Sequence, residues 1–179
     1  MGELDISAHA APWESTTTDW AAAQLIRIPW NYTAHADAFL ERVRKVDAIV
    51  CLQNFAVVVA WNAHKQYLIG LGQKGVHVLP TTIILQGSEK FDWSSFPAGE
   101  LVIKPAIGVG ARGAMKAHCD DAALHAHAME LLKAHDMLVR QFEPCVSSHG
   151  EVSLIYFSGH FSYAVRKVTR EGEYRIHAY

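Results

Sequence analysis

The chain has 179 residues and half of them are hydrophobic, so it can bury one sizeable core or two small ones, and a globular protein is expected. Its sixteen basic and eighteen acidic residues give a formal net charge of −2, without a lysine and arginine block to follow a phosphodiester backbone, which argues against nucleic acid as a partner. The start lacks the basic and apolar regions of a signal peptide, and no apolar run approaches the roughly 20 residues that span a bilayer. We therefore predict a cytoplasmic protein without a membrane partner.

The N-terminal portion of the sequence predicts an α/β arrangement. Residues 1–19 are rich in Ala, Ser and Thr without an apolar period, which indicates a loose terminus. Further on, β-branched runs predict strands and apolar residues at helical spacing predict helices. The predicted strands and extended segments are residues 25–28, 48–52, 76–79 and 81–85, and the predicted helices are residues 39–46, 55–61 and 64–71, the last ended by Gly72 and Gly75. This alternation indicates an α/β layer with a partly parallel sheet over residues 20–86.

The remainder of the sequence predicts an α+β unit with mostly antiparallel sheets. Residues 87–99 are polar and aromatic and contain Pro97, so we interpret them as a linker. The second unit then starts at residue 100. Its predicted strands are residues 101–103, 115–118, 137–142, 151–157 and 160–168, the last two forming a hairpin around Ser158 and Gly159, and its predicted helix is residues 121–135.

A glycine-rich segment fits the pattern G-x-G-x-x-G through Gly108, Gly110 and Gly113, which alone is weak evidence for a nucleotide site. A dinucleotide site requires a helix that opens directly from the loop, so that its N–H groups meet the pyrophosphate. Residues 114–118 are too few and too alternating for a helix, so the loop is predicted to join two strands. Because a glycine hairpin can fold over the phosphates of ATP, ATP is favoured over NAD. An NAD-linked oxidoreductase stays an alternative that requires a helix at residues 114–118.

Charged and aromatic side chains near the predicted strand ends extend this hypothesis. Lys104 precedes the loop, where an ammonium can neutralise triphosphate oxygens, although a lysine that snorkels from a strand end is the alternative. Arg112 either reaches a phosphate or faces water. A strand that stops before Pro144 can present backbone groups to an adenine edge while Phe142 packs on its face. Glu151, at the mouth of the next strand, can accept hydrogen bonds from ribose hydroxyls.

Taken in chain order, these segments resemble the ATP-grasp superfamily, and more closely its glutathione-synthetase-like and cycloserine-forming-ligase-like branch. The resemblance covers about residues 20 to 179. The matching segments are residues 28–32, 61–68, 75–76, 80–82, 102–106, 140–143, 150–153, 164–167 and 173–177.

The resemblance implies that ATP lies between two α+β lobes and phosphorylates a carboxylate, after which an amine attacks the acylphosphate. It implies phosphate contacts for Lys65 and Lys104, with residues 108–113 closing over the phosphates. Its remaining assignments are Gln141, Phe142 and Glu143 to the adenine pocket, Glu151 to the ribose, and Lys167 and Arg175 to the phosphates or the acylphosphate. Without the resemblance, Lys65 would be interpreted as a solvated helix lysine and Arg175 as a surface arginine.

The sequence departs from the family in two respects. Gly108 stands where the family usually carries a serine, so one hydroxyl contact to phosphate is expected to be absent. The chain ends at Tyr179, where the branch continues into the segment that bears its magnesium ligands, and the family's opening strand and helix have no counterpart before Trp13. We therefore expect a piece of a ligase truncated at both ends, with a remnant of the pre-ATP-grasp domain over residues 20–86 and an ATP-grasp region over residues 100–179.

A chain of this kind is expected to bind ATP but to be a poor catalyst, because the Mg²⁺ ligands fall in the missing segment. The competing interpretation is a catalytically silent nucleotide-binding or partner-binding fragment, and a homo-oligomer is left open. The cysteines match no disulfide framework, and the histidines show no i, i+4 pair with a third ligand, so reduced thiols and no metal site are predicted. The residues considered are Cys51, Cys119, Cys145, His118, His125, His127 and His135.

Overall fold

The computed structural model describes residues 9–22, 25–26, 29 and 31–168. The chain divides into two units, residues 1–64 and residues 65–179. The domain boundaries drawn from the sequence stay predictions, and residues 27–28 of the first predicted strand lie outside the described residues. In the described part of the chain, no helix combines the length and the apolar character that crossing a bilayer requires.

The first unit is built around the helix α1, Ala36–Asp47, followed by α2, Ala56–Ala63. Phe39, Val43 and Val46 recur at i, i+4 and i+7, which places them on one face of α1, and all three are buried. The ring of Trp13 packs edge-on against Phe39 with the ring centroids 5.4 Å apart. The stretch predicted as a loose terminus thus contributes at least one side chain to this core.

Residues 48–52 do not form the predicted strand. The N–H of Ala48 donates to the carbonyl oxygen of Arg44, so the chain leaves α1 through a further helical turn. The Asp47 carboxylate then accepts from the N–H groups of Leu52 and Ala56 at 3.3 and 3.1 Å. The N–H groups of Ile49 and Val50 donate to the carbonyl oxygen of Val46. The prediction was wrong because a β-branched run is also compatible with a tight connection when a preceding carbonyl and a preceding carboxylate accept from its backbone donors.

The second unit contains a four-stranded sheet and a separate hairpin. Its elements are α3 (Tyr67–Gln73), β1 (Thr82–Ile84), β2 (Glu100–Pro105), β3 (Met115–His118), α4 (Ala122–Leu132), β4 (Met137–Gln141), α5 (Cys145–His149), β5 (Glu151–Phe157) and β6 (His160–Lys167). The sheet has the order β1-β4-β2-β3, and β5 pairs with β6. Every strand pair found among the described residues is antiparallel. The predicted mixed α/β fold with mostly antiparallel sheets is confirmed at this level.

Strand β1 corrects the prediction of a partly parallel sheet over residues 20–86. It pairs antiparallel with β4, so it belongs to the sheet of the second unit. Parallel neighbours require a long crossover, usually a helix. β1 and β2 are not neighbours, because β4 lies between them, and the chain that connects them forms loops and one short 3₁₀ turn, Trp93–Ser95. Residues of this predicted linker pack on the sheet, because Phe91, Trp93 and Phe96 contact its core.

The two faces of the sheet carry different side chains. Leu101 and Ile103 of β2 point to the core together with Val139 of β4, and α4 covers this face with Leu124 and Ala128. Because side chains alternate along a strand, the opposite face receives the residues between them. Those residues are Val102 and Lys104 of β2, Lys116 of β3, and Leu138 and Arg140 of β4. This second face forms the floor of the candidate site.

Candidate functional site

A cavity of about 420 Å³ lies over the second face of the sheet, within the size range of small-molecule sites. It is bounded by β2, the glycine loop, the chain after β4, and the β5–β6 hairpin. The predicted site residues that line it are Lys65, Lys104, Gly108, Gly110, Arg112, Gln141, Phe142, Glu143, Glu151 and Lys167. Gly113 closes the loop beside Pro105, and Arg175 lies outside the described residues.

The glycine loop joins β2 to β3, as predicted. Residues 115–118 are a strand, so the helix that an NAD site would need directly after the loop is absent from this described segment. The loop turns through positive φ angles at Gly110, Ala111 and Gly113. At Gly113 an added Cβ would also lie 3.1 Å from Pro105 Cγ, so this position needs glycine for both backbone conformation and space.

Side chains from outside the loop hold both of its ends. The Lys65 ammonium donates to the carbonyl oxygens of Ala106 at 3.2 Å and Gly108 at 2.8 Å. At the other end, the Nε2–H of His127 donates to the carbonyl oxygen of Gly113 at 2.9 Å. Lys65 is thus half-buried and bonded to the loop rather than solvated on a helix. The exposed middle of the loop, around Gly110 and Arg112, faces the cavity.

The cations of the cavity repel one another in a partly desolvated space. Burial, together with the smaller effects of the Arg140 and Lys65 charges, lowers the pKa of Lys104 to about 8, while Glu151 opposes the shift. Burial and the neighbouring Arg140 likewise lower the pKa of Lys65 to about 8. Near neutral pH both lysines remain largely protonated, because the pH still lies below these values. The cavity therefore concentrates positive charge that only a bound anion would compensate fully.

The chain after β4 forms one wall of the cavity. The N–H of Phe142 donates to the carbonyl oxygen of Glu100 at 2.8 Å, which fixes the exit of the strand. The Lys116 ammonium lies 4.3 Å from the centre of the Phe142 ring and 2.8 Å from a Glu100 carboxylate oxygen. This contact has cation–π geometry and holds the aromatic ring against the wall. Phe142 thereby lines the cavity at the exit of β4.

The hairpin contributes a carboxylate and a lysine at the mouth of the cavity. Glu151 and Lys167 are directly opposite each other in the β5–β6 register. Their charged atoms lie 3.5 Å apart. Glu151 is exposed, so the pair is close to solvent and contributes little to stability. It does offer a hydrogen-bond acceptor beside the cations of the sheet.

Arg140 is the residue of the cavity that the sequence prediction missed. It is half-buried and lines the cavity from β4, opposite Val102. A signal for it was present, because Arg140 is the charged position of β4 and directly follows the apolar residues 137–139, all three of which are buried. Leu79, Val102 and Val146 also line the cavity. Nothing in the sequence distinguishes these three from ordinary core positions.

Apart from the cavity, one group of potential metal ligands occurs in the described part of the chain. The ligand atoms of His118, Cys119 and Asp120 lie within 4.8 Å of one another in the turn after β3. The sequence prediction considered histidines at i, i+4 spacing, whereas these three residues are consecutive. None of the three lines the cavity.

A basic cavity under a glycine loop has the charge and the size that suit a small polyanionic ligand. A family model described as "D-cycloserine synthetase DcsG, N-terminal domain" matches residues 1–54. The cycloserine biosynthesis protein DcsG of Streptomyces lavendulae is 29% identical over 175 residues, which are 92% of this chain and 58% of that protein. The chain therefore spans somewhat more than half of the length of this relative.

A solved structure supports the same similarity in three dimensions. The crystal structure of D-cycloserine synthetase DcsG matches with a TM-score of 0.81 and 28% sequence identity. The match covers 92% of this chain and 59% of the solved one. The mixed α/β fold with mostly antiparallel sheets is therefore similar to the corresponding part of a known synthetase.

Proposed function

We propose that this chain binds ATP in the cavity and forms the ATP-binding portion of an ATP-grasp carboxylate–amine ligase that acts through an acylphosphate. The observation that carries the proposal is the surplus of positive charge, since five basic and two acidic residues line a cavity under a glycine loop. Exposed loop N–H groups and partly desolvated ammonium groups suit phosphate oxygens. The similarity to a D-cycloserine synthetase supports a ligase rather than a phosphatase or a carrier.

Each wall of the cavity has a separate role in this proposal. Lys104 and Lys65 bind the phosphates together with the loop, and the ring of Phe142 packs on the adenine. Backbone groups of the strand exit at Gln141 and Glu143 then meet the adenine edge, and the Glu151 carboxylate accepts from the ribose hydroxyls. These contacts leave the γ-phosphate near the loop, where the carboxylate substrate would approach.

The chemistry assigned to the site is a phosphoryl transfer followed by a substitution. A carboxylate oxygen of the substrate bonds to the γ-phosphorus, and the bond to ADP breaks. The amine then attacks the acyl carbon, the C–N bond forms, and inorganic phosphate leaves with the electrons of the broken C–O bond. Positive charge near the γ-phosphate stabilises both steps, because negative charge develops on the phosphoryl oxygens and on the leaving group. Lys167 and Arg175 are proposed to supply it.

The described residues do not assemble a magnesium site in this cavity. The Glu143 carboxylate accepts from the Cys145 N–H at 3.3 Å, and the Glu151 carboxylate pairs with Lys167. In the described part of the chain neither carboxylate belongs to a group of three potential metal ligands, whereas magnesium is usually bound by one or two carboxylates together with phosphate oxygens and water. When bound with ATP, magnesium would offset phosphate charge.

Calorimetric titration with ATP tests the binding half of the proposal. Lys104→Met is expected to weaken ATP binding by about 10- to 100-fold, because a charge-assisted hydrogen bond is removed. Lys45→Met is the matched control, since Lys45 is an exposed helix lysine of the first unit that pairs with Glu41. Its affinity should equal that of the wild type. Failure of the wild-type chain to bind ATP contradicts the proposal.

ADP release separates the ligase from its competitor, a catalytically silent nucleotide-binding protein. ATP binding with carboxylate- and amine-dependent ADP release supports the ligase. Binding without turnover on any carboxylate, under conditions where a full-length relative is active, supports the silent alternative. Both outcomes begin from the same measured ATP affinity, so the release of ADP is the quantity that distinguishes them.

A further inference from the structure

We propose that Arg140 is a third phosphate-binding cation of the site, placed to meet the phosphate nearest the ribose. The inference rests on the proposed function, because it concerns the same ligand. It goes beyond that function by adding a contact from the middle of β4 to those expected from Lys65, Lys104 and the loop.

The strand register puts Arg140 on the floor of the cavity. Arg140 is directly opposite Val102, and Lys104 is opposite Leu138, in the antiparallel pair of β2 and β4. Directly opposed residues of such a pair project to the same face of the sheet. Arg140 and Lys104 therefore share the face that lines the cavity, and both are found among its lining residues.

The same register orders the contacts along the ligand. The strand exit at Phe142 is bonded to Glu100, Arg140 is opposite Val102, and Lys104 lies two residues further along β2 toward the loop. Two residues of a strand correspond to roughly 6.6 Å. A nucleotide with its base at Phe142 and its outer phosphates under the loop would thus pass over Arg140 with its innermost phosphate.

The guanidinium of Arg140 has hydrogen-bonding capacity that the free protein leaves unused. Among the described residues, no hydrogen bond or ion pair engages this group, although it is half-buried. Burial lowers its pKa, and the nearby Glu151 carboxylate opposes the shift. Glu151 is itself within 3.5 Å of Lys167. A partly desolvated guanidinium has five N–H donors in a planar fork that matches phosphate oxygens, so an anion in the cavity would satisfy donors that the protein does not.

Titration of a ligand series tests the assignment. Wild type, Arg140→Gln and Arg140→Lys are titrated with ATP, ADP, AMP and adenosine, with Arg44→Gln, an exposed arginine of α1, as the control. Arg140→Gln is expected to weaken ATP, ADP and AMP by about tenfold or more each, and to leave adenosine unchanged. Arg140→Lys keeps the positive charge but loses the planar guanidinium, so an intermediate loss of affinity for ATP, ADP and AMP is expected. The control should match the wild type with all four ligands.

Three results would overturn the inference. If Arg140→Gln binds ATP within twofold of the wild type, Arg140 is not a phosphate contact. If adenosine weakens as much as AMP, Arg140 shapes the base pocket instead. If ATP and ADP weaken while AMP does not, the arginine meets an outer phosphate and the ordering along β2 is wrong. The three results above defeat this inference alone. A wild type that does not bind ATP defeats the proposed function together with this inference, so the two failures are distinguishable. Circular dichroism of Arg140→Lys checks that the variant keeps the secondary structure of the wild type.

Discussion

Replacing Lys104 with methionine is expected to stabilise the free protein while it weakens ATP binding. Burial lowers the pKa of Lys104 from 10.5 to about 8, which means that the folded protein pays for keeping the ammonium charged. At about 1.4 kcal/mol per pKa unit, the fall from 10.5 to about 8 corresponds to an upper limit of ~3.5 kcal/mol. Because the cavity is open to water, we expect only about 1 kcal/mol to be recovered. Methionine retains the apolar stem of the lysine, so packing is largely preserved.

The sign of the effect depends on pH in a defined way. Below about pH 8 the lysine is protonated in the folded and the unfolded chain, so the cost of burial is fully present. Between about 8 and 10.5 the unfolded state binds more protons, and the stability of the wild type rises with pH. The advantage of Lys104→Met should therefore be largest near pH 7 and should shrink toward pH 10.

Thermal unfolding without nucleotide measures this advantage. A gain of about 1 kcal/mol corresponds to a rise in Tm of about 2–4 °C for a chain of this size. Lys116→Met is the control on the same face of the sheet, because Lys116 pairs with Glu100 at 2.8 Å and its removal should not raise Tm. A Tm of Lys104→Met below that of the wild type at pH 7, or an equal gain at pH 10, refutes the reasoning.

Three further predictions concern the loop and the charge of the cavity. Gly113→Ala should cost about 1–3 kcal/mol in urea unfolding, because alanine disfavours the positive φ of 68° and its Cβ would meet Pro105; an unchanged midpoint contradicts this. Gly108→Ser should fold normally, since its Cβ would lie 3.5 Å from the nearest atom. It should tighten ATP binding about 2- to 10-fold through a new hydroxyl contact, which titration against Gly108→Ala reveals. ATP affinity should fall by about tenfold or more from pH 7 to pH 9, because Lys65 and Lys104 lose protons above about pH 8. The affinity of Lys104→Met should fall less steeply over the same range, and a wild-type affinity that does not change with pH contradicts the charge argument.

Much of the second unit was predictable because its signals are local. Strand β3 was predicted with the bounds Met115–His118 that the structure shows, and the β5–β6 hairpin differs from its prediction by a single residue at the end of β6. Apolar alternation over four to eight residues and a Ser-Gly turn are enough for such elements. The Asp121 side chain that caps α4 also belongs to this class, since it accepts from the N–H of Ala123 at 2.7 Å.

Other parts of both units were less predictable, either because a neighbouring group overrides the composition of a segment or because the contact is distant in sequence. Residues 48–52 have the composition of a strand, but the Val46 carbonyl oxygen and the Asp47 carboxylate accept from their N–H groups and stabilise a tight turn instead. The antiparallel placement of β1 depends on β4, which lies more than fifty residues later in the chain. Arg140 had a local signal, but its hydrogen-bonding freedom becomes visible only when the cavity is assembled.

The grip of Lys65 on the glycine loop has a consequence for protein engineering. The two carbonyl oxygens that it binds are 41 and 43 residues away in sequence, so the resting position of the loop is not encoded in the loop alone. A graft of residues 105–114 onto another hairpin would keep the glycines but lose the hydrogen bonds from the Lys65 ammonium. The donor segment would have to be transplanted with its lysine, because the side chain that brings positive charge to the cavity also fastens the loop above it.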